Sequence, residues 1–149
     1  QRGSSEGAKP GSVRTGGRRA GSAGAGGHGG GLGAIYEIEV LEENGAEAFL
    51  FGERGSFAPK GIAGGGDAAL NVFQYEQDDG WHSPPLTSKM RGINLKAGQA
   101  VRLQTPGGGG YGKADERSHA AIARDVARGL VSDVEADAVY GTNWREGTA

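Results

Sequence analysis

The sequence predicts a mainly β protein, built of hairpins and glycine-rich loops, with two short helices at its C-terminal end and an extended glycine-rich arm at its start. Three observations carry this. Residues 34–43 alternate apolar and polar side chains with the period of two expected of a half-buried strand. Glycine supplies 31 of the 149 residues, in clusters that separate short apolar runs. Only after residue 118 does the apolar spacing change to that of a helix, and there it comes with caps and stops.

Residues 1–33 carry Arg2, Lys9, Arg14, Arg18 and Arg19 against the single acid Glu6, with Val13 and Leu32 as the only large apolar side chains. That is too little apolar surface to offset the entropy of ordering the segment alone. The arm is expected to be extended chain, either disordered or held along a partner subunit. RNA binding is the outsider reading: no Tyr, Phe or Trp precedes Tyr36 to stack on a base.

In 34–43, Tyr36, Ile38 and Val40 share one face and Glu37 and Glu39 the other. Asn44-Gly45 is a hairpin signal, so residues 46–51 are expected to return against this strand. That return strand is apolar on both faces, Phe49 and Phe51 on one and Ala48 and Leu50 on the other, and calls for cover on both sides. Residues 52–67 read as loop anchored by Phe57, Pro59 and Ile62, with Gly64, Gly65 and Gly66 as a tight passage. A strand fits 69–75. An acidic turn follows at 76–80, and Pro84-Pro85 forbids helix there. Residues 93–95 and 99–105 are expected to pair as a hairpin through Lys96-Ala97-Gly98.

Gly107, Gly108, Gly109 and Gly110 then join the β region to the helices. Such a quartet costs conformational entropy and is kept where backbone takes positive φ or lies against atoms that leave no room for a Cβ. A close-approach turn is expected, locking the helices against the sheet or against a partner chain. Ser118 caps the first helix, which runs through Ile122 and Val126 to Gly129. Ser132 and Glu135 form a capping box for a second helix ending at Gly141. The organisation expected is an arm over 1–33, a β-rich region over 34–112 and a two-helix segment over 113–149.

A net charge of −2 provides no field toward nucleic acid or membrane, and no stretch has the apolar length of a membrane-spanning helix, so a soluble, cytoplasmic protein is expected. Cysteine is absent, which removes disulfides and thiolate zinc sites; a small glycine-rich chain without such staples is expected to gain stability from a partner. Gly107, Gly112 and Lys113 match the spacing of a phosphate-binding loop. Ala114 stands where that loop needs a hydroxyl for magnesium, however, and Asp115 and Glu116 would repel phosphate. His28, His82 and His119 lack ligand spacing with one another. Asp78 and Asp79 beside Gly80 fit a turn better than an acid–base pair.

TPGGGGYG, then DVARGLVSDVEADAVYG from Asp125 to Gly141, resembles the C-terminal signature of the hydantoinase B/5-oxoprolinase family. GAGGHGGGLG, FAPKGIAGGG and LKAGQ fit the same family in the same order, so the likeness covers most of the chain after about Ser22. The resemblance implies a small subunit of a biotin-independent, ATP-dependent ketone carboxylase similar to acetophenone carboxylase. Close behind stands a subunit of an ATP-dependent hydantoinase or oxoprolinase opening cyclic amides. It implies larger A-type (ATPase) and B-type subunits as partners, no nucleic acid or membrane partner, and ATP with magnesium or manganese held by the A-type subunit. For this chain it implies no catalytic, cofactor-binding or metal-ligating residue. Structural or interface roles fall on Gly107, Gly108, Gly109, Gly110, Tyr111, Gly64, Gly65, His28 and Tyr140. Two departures from the family pattern are Gly29, where relatives commonly have Arg after the histidine, and Lys60, where they have an aromatic.

Overall fold

The computed structural model describes residues 11–146. In chain order these form β1 (Gly11–Arg19), β2 (Gly33–Val40), β3 (Ala46–Phe51), β4 (Val72–Gln77), β5 (Gly80–His82), β6 (Lys89–Leu95), β7 (Ala100–Gln104), α1 (His119–Ala127) and α2 (Asp133–Tyr140). The protein is mainly β with two short helices at its C-terminal end, the fold class its sequence predicts. Five strands make an antiparallel sheet in the order β1-β2-β7-β4-β5, and β3 pairs with β6 in a second, two-stranded sheet.

Two expected hairpins do not form. Gly45, at φ +75°, donates its N–H to Glu42 O (2.8 Å), so Asn44-Gly45 does turn the chain, yet β2 pairs with β1 and β7 and β3 pairs with β6. Likewise Gly98, at φ +83°, turns β6 away from β7. Both turns carry the chain from one sheet to the other, and they are tied together by Val40 N–H to Gln99 O and Gly98 N–H to Val40 O, each 2.9 Å. Turn residues specify a reversal and leave the partner open. Crossing between sheets buries Val40, Leu50, Phe73, Ile93 and Leu95 in one core, with Val101 and Leu103 packed on it, a larger apolar gain than an isolated two-stranded hairpin offers.

From residue 11 onward the N-terminal arm is extended chain held by this chain's own sheet; residues 1–10 lie outside those described. β1 is extended chain held along the edge of the large sheet, its ladder to β2 broken only by a bulge between Val13 and Thr15. At that bulge Arg14 reaches Glu39 (2.8 Å), Glu76 (3.3 Å) and Glu37 (3.5 Å), and Arg102 joins Glu37 (2.8 Å) from β7. Backbone pairing and this cross-strand ion network thus take the place of the apolar burial the arm lacks.

A second core of Ile122, Ala136 and Trp144, with Val126, Val131 and Tyr140 against it, holds the helical layer. Ser118 Oγ accepts from Ala121 N, and Gly129 leaves α1 at φ +64°. The capping box closes α2: Ser132 N–H donates to Glu135 Oε2 (2.9 Å) and Glu135 N–H to Ser132 Oγ (3.2 Å). The Ser132 N–H and the Ser132 hydroxyl, which also donates to Glu135 Oε2 (2.8 Å), hold the Glu135 carboxyl below its ordinary range, as Arg145 does for Asp137 and Arg14 for Glu39. A depressed folded-state value stabilises the fold above the unfolded value and is lost as pH falls through the folded one. The melting temperature is therefore expected to stay level from pH 7 to about 5 and to fall once pH drops below about 4. A thermal series over that range checks the sign; a level curve down to pH 3 would contradict it.

Candidate functional site

Three glycine-rich segments, residues 22–33, 59–68 and 105–112, lie against one another where the large sheet meets the helical layer. Their backbones are sewn directly together. Gly24 N–H donates to Gly108 O, Gly66 N–H to Ala25 O, Gly110 N–H to Gly66 O and Ile62 N–H to Gly110 O, all between 2.7 and 2.9 Å. Ser22, fully buried, is the polar knot at one end: its hydroxyl donates to Arg19 O (2.6 Å) and accepts from Gly33 N (2.8 Å), while its carbonyl accepts from Ala69 and Gly107. Arg19, whose pKa is lowered by burial, donates to Leu70 O and Thr105 O (2.7 and 3.1 Å), pinning the ends of two segments.

The quartet is a close approach. None of Gly107, Gly108, Gly109 and Gly110 has positive φ; that conformation falls at Gly64 (+90°) and Gly112 (+72°). A methyl group at Gly109 would stand 2.1 Å from Lys60 O, at Gly110 1.9 Å from Ala25 O, and at Gly107 2.4 Å from Ser22 O. At Gly65 it would meet Gly110 O at 2.2 Å. Gly108 differs, with its nearest neighbour, Gly31 N, at 3.4 Å.

The same bonding settles what this loop can hold. The N–H groups of Gly107, Gly108, Gly110, Tyr111 and Gly112 donate to Ser22, Gly31, Gly66, His28 and Ile62 carbonyls. A phosphate cradle needs such groups free and converging. After Lys113 comes only a single 3-10 turn, Ala114–Glu116, with Asp115 and Glu116 in it. The loop does not fit a nucleotide phosphate.

His28 and Tyr111 are brought side by side: each donates its N–H to the other's carbonyl at 2.9 Å, and their rings meet edge to face with centroids 6.4 Å apart. Ile62 bridges to Tyr111 from the other side, and both remain more than half exposed. Tyr140 stands apart, across a cleft of about 460 Å³ between residues 23–32 and the two helices. Arg117 spans that gap. It donates to Gly27 O (3.1 Å), forms an ion pair with Asp125 of α1 and lies 6.0 Å over the Tyr140 ring of α2. Leu32, Leu130 and Val139 give the cleft apolar walls, and Arg18 and Glu135 stand at it as well. The structure therefore gathers Gly64, Gly65, Gly107, Gly108, Gly109, Gly110, Tyr111 and His28 in one layer and joins Tyr140 to it through Arg117. The pairing of Arg117 with Asp125 went unread in the sequence, because an Arg eight residues before an Asp carries no motif.

Elsewhere, Asp79 accepts from His82 (2.7 Å) and Asp78 binds Lys96, so the acidic pair closes turns, and β4 and β5 make a hairpin where loop was expected. Among the described residues no group of three or more His, Asp or Glu side chains is placed to hold a metal ion, and no helix is long and apolar enough to cross a membrane.

Residues 4–114 match the family described as hydantoinase B/oxoprolinase. A 5-oxoprolinase of Dictyostelium discoideum is 33% identical over 97 residues, 65% of this chain and 7% of that protein. An uncharacterized protein of Schizosaccharomyces pombe is 34% identical over 107 residues, 66% of this chain and 8% of that one. Among solved structures, the ATP-dependent caprolactamase of Pseudomonas jessenii superposes with a TM-score of 0.77 at 28% identity, over 89% of this chain and 23% of that one. Nucleotide-free acetone carboxylase superposes equally, TM-score 0.77, at 19% identity over 89% of this chain and 22% of its own. The chain thus spans under a tenth of these curated relatives and under a quarter of these solved chains.

Proposed function

The chain belongs to the hydantoinase B/oxoprolinase family, and on that premise we propose that it is the glycine-rich module of an ATP-dependent enzyme that opens cyclic amides. In this reading the module completes a larger B-type polypeptide, and a separate A-type ATPase polypeptide handles ATP with magnesium or manganese. The observation that carries the choice of reaction is the ordering of identities. The relatives named for cyclic-amide chemistry, 5-oxoprolinase and caprolactamase, stand at 33% and 28%, above acetone carboxylase at 19%. The spent N–H groups of residues 107–112 support giving the module a scaffolding role and leaving phosphate to another chain.

A ketone carboxylase similar to acetophenone carboxylase, placed first by the sequence resemblance, is the second reading. Acetone carboxylase shares the fold to the same degree as caprolactamase, which keeps this reading in view without favouring it. One assay separates the two. The complex of this chain with its A- and B-type polypeptides is expected to hydrolyse ATP only when 5-oxoproline, a hydantoin or caprolactam is present, and to fix no labelled bicarbonate onto acetone or acetophenone. Bicarbonate fixation would overturn the cyclic-amide reading in favour of the second.

A further inference from the structure

The outer side of β3 exposes two phenylalanines at its C-terminal end, next to the polar side chains of β6, and nothing in the described residues covers them. Along β3, Leu50 points into the core at 7% exposure with Ala48 beside it, while Phe49 and Phe51 point outward at 60% and 81%. Phe51 lies opposite Lys89 on β6, and Lys89 together with Gly52 lines a groove of about 290 Å³ between residues 52–57 and 85–89. Phe57 and Leu86 stand on that groove, 78% and 69% exposed. Its rim is polar, with Glu53 and Lys89 in an ion pair at 3.5 Å. Aromatic anchors inside a charged rim make up the composition of a protein–protein contact, and a strand with two apolar faces is at rest only when both are covered.

We propose that this face is a docking surface for the larger part of a hydantoinase B-type polypeptide, an apolar segment of which lies over Phe49, Phe51, Phe57 and Leu86. The occupant follows from length: the shared fold takes up 23% of the caprolactamase chain and 22% of the acetone carboxylase chain, so most of each lies outside it. The proposal rests on the family reading above and adds which face of this chain meets the B-type polypeptide.

The absence of native cysteine makes the test clean. The tagged chain is co-produced with the remainder of the B-type polypeptide as a separate chain. Single-cysteine variants Phe49→Cys, Phe57→Cys and, as a control on the helical layer, Arg128→Cys are then treated with a maleimide. All three are expected to react rapidly in the chain alone. In the complex the two face positions are expected to slow at least tenfold while Arg128→Cys does not change. Phe51→Lys, at a side chain 81% exposed, is expected to leave the melting temperature of the isolated chain unaltered and to cut the amount of captured B-type polypeptide at least tenfold. An intact complex in which Phe49→Cys and Phe57→Cys still react freely would overturn this surface and leave the family reading standing. Failure of any complex to form would remove both. Protection of the same positions in the chain alone, rising with concentration alongside a dimer on gel filtration, would make a second copy the occupant and overturn the proposal.

Discussion

Gly110→Ala is expected to cost at least about 3 kcal/mol and to leave little native chain, whereas Gly108→Ala is expected to change stability by less than about 1 kcal/mol. The two residues are two apart in one run of glycines, and their difference is geometric. A Cβ at Gly110 would lie 1.9 Å from Ala25 O and 2.5 Å from Ala25 C, atoms of a backbone that is itself bonded to Gly66. Relief requires the segments 22–33 and 105–112 to part, which breaks Gly24 to Gly108 and the paired bonds of His28 and Tyr111 together. Overpacking against a movable side chain costs about 1–3 kcal/mol; here the neighbour is main chain, and net stabilities are only about 5–15 kcal/mol. At Gly108 the nearest atom stands 3.4 Å away, an ordinary contact, and a methyl group there also narrows the unfolded ensemble. Urea unfolding of the two variants decides it. Equal, small losses would mean that the three segments slide freely past one another and that the layer is slack chain.

This pair also marks how far the sequence could be read. The quartet is legible as a place where side chains are excluded, because glycine is kept only under such constraint, but the sequence offers no ground for separating Gly108 from Gly110. That distinction depends on residues 24–31 and 59–66 lying across the quartet, contacts far apart in the chain. The helices were legible to within a residue, since Ser118, Gly129, Ser132, Glu135 and Gly141 act locally through caps and stops. Strand identity was legible for β2, where alternation with period two is a local property, and for β3, a short apolar run following the Asn44-Gly45 turn. Strand pairing was not. Asn44-Gly45 and Lys96-Ala97-Gly98 encode reversals, and the partner across each reversal is chosen by a core assembled from β2, β3, β4 and β6 at once. For β1 an extended arm was legible and its place at the sheet edge was not, because that place comes from backbone pairing to β2 and from Arg14 among Glu37, Glu39 and Glu76, none of which shows as apolar periodicity.

The same contrast between local and distant determinants governs how the helices stay docked on the glycine layer. Arg117→Met is expected to destabilise the chain by about 3 kcal/mol, with the loss concentrated in the attachment of α1 and α2. Arg117 is 11% exposed and its partner Asp125 21%, so removing the guanidinium leaves a carboxylate short of water and without its counter-charge. It also removes the donor to Gly27 O and the cation over Tyr140, the contacts by which one side chain touches the glycine layer and both helices. The methionine keeps most of the apolar stem, so what is lost is mainly charge and hydrogen bonding. Asp125→Leu is expected to destabilise as well, since it strands the guanidinium. The double variant, in which neither charge is left alone, should then be more stable than the sum of the two losses by about 1–3 kcal/mol. Hydrogen exchange adds the location: amides of His119–Ala127 and Asp133–Tyr140 should lose protection in Arg117→Met while those of β2 and β7 keep theirs. Strictly additive losses, or protection falling evenly through sheet and helices, would assign the docking of the helical layer to the Ile122, Ala136 and Trp144 core instead.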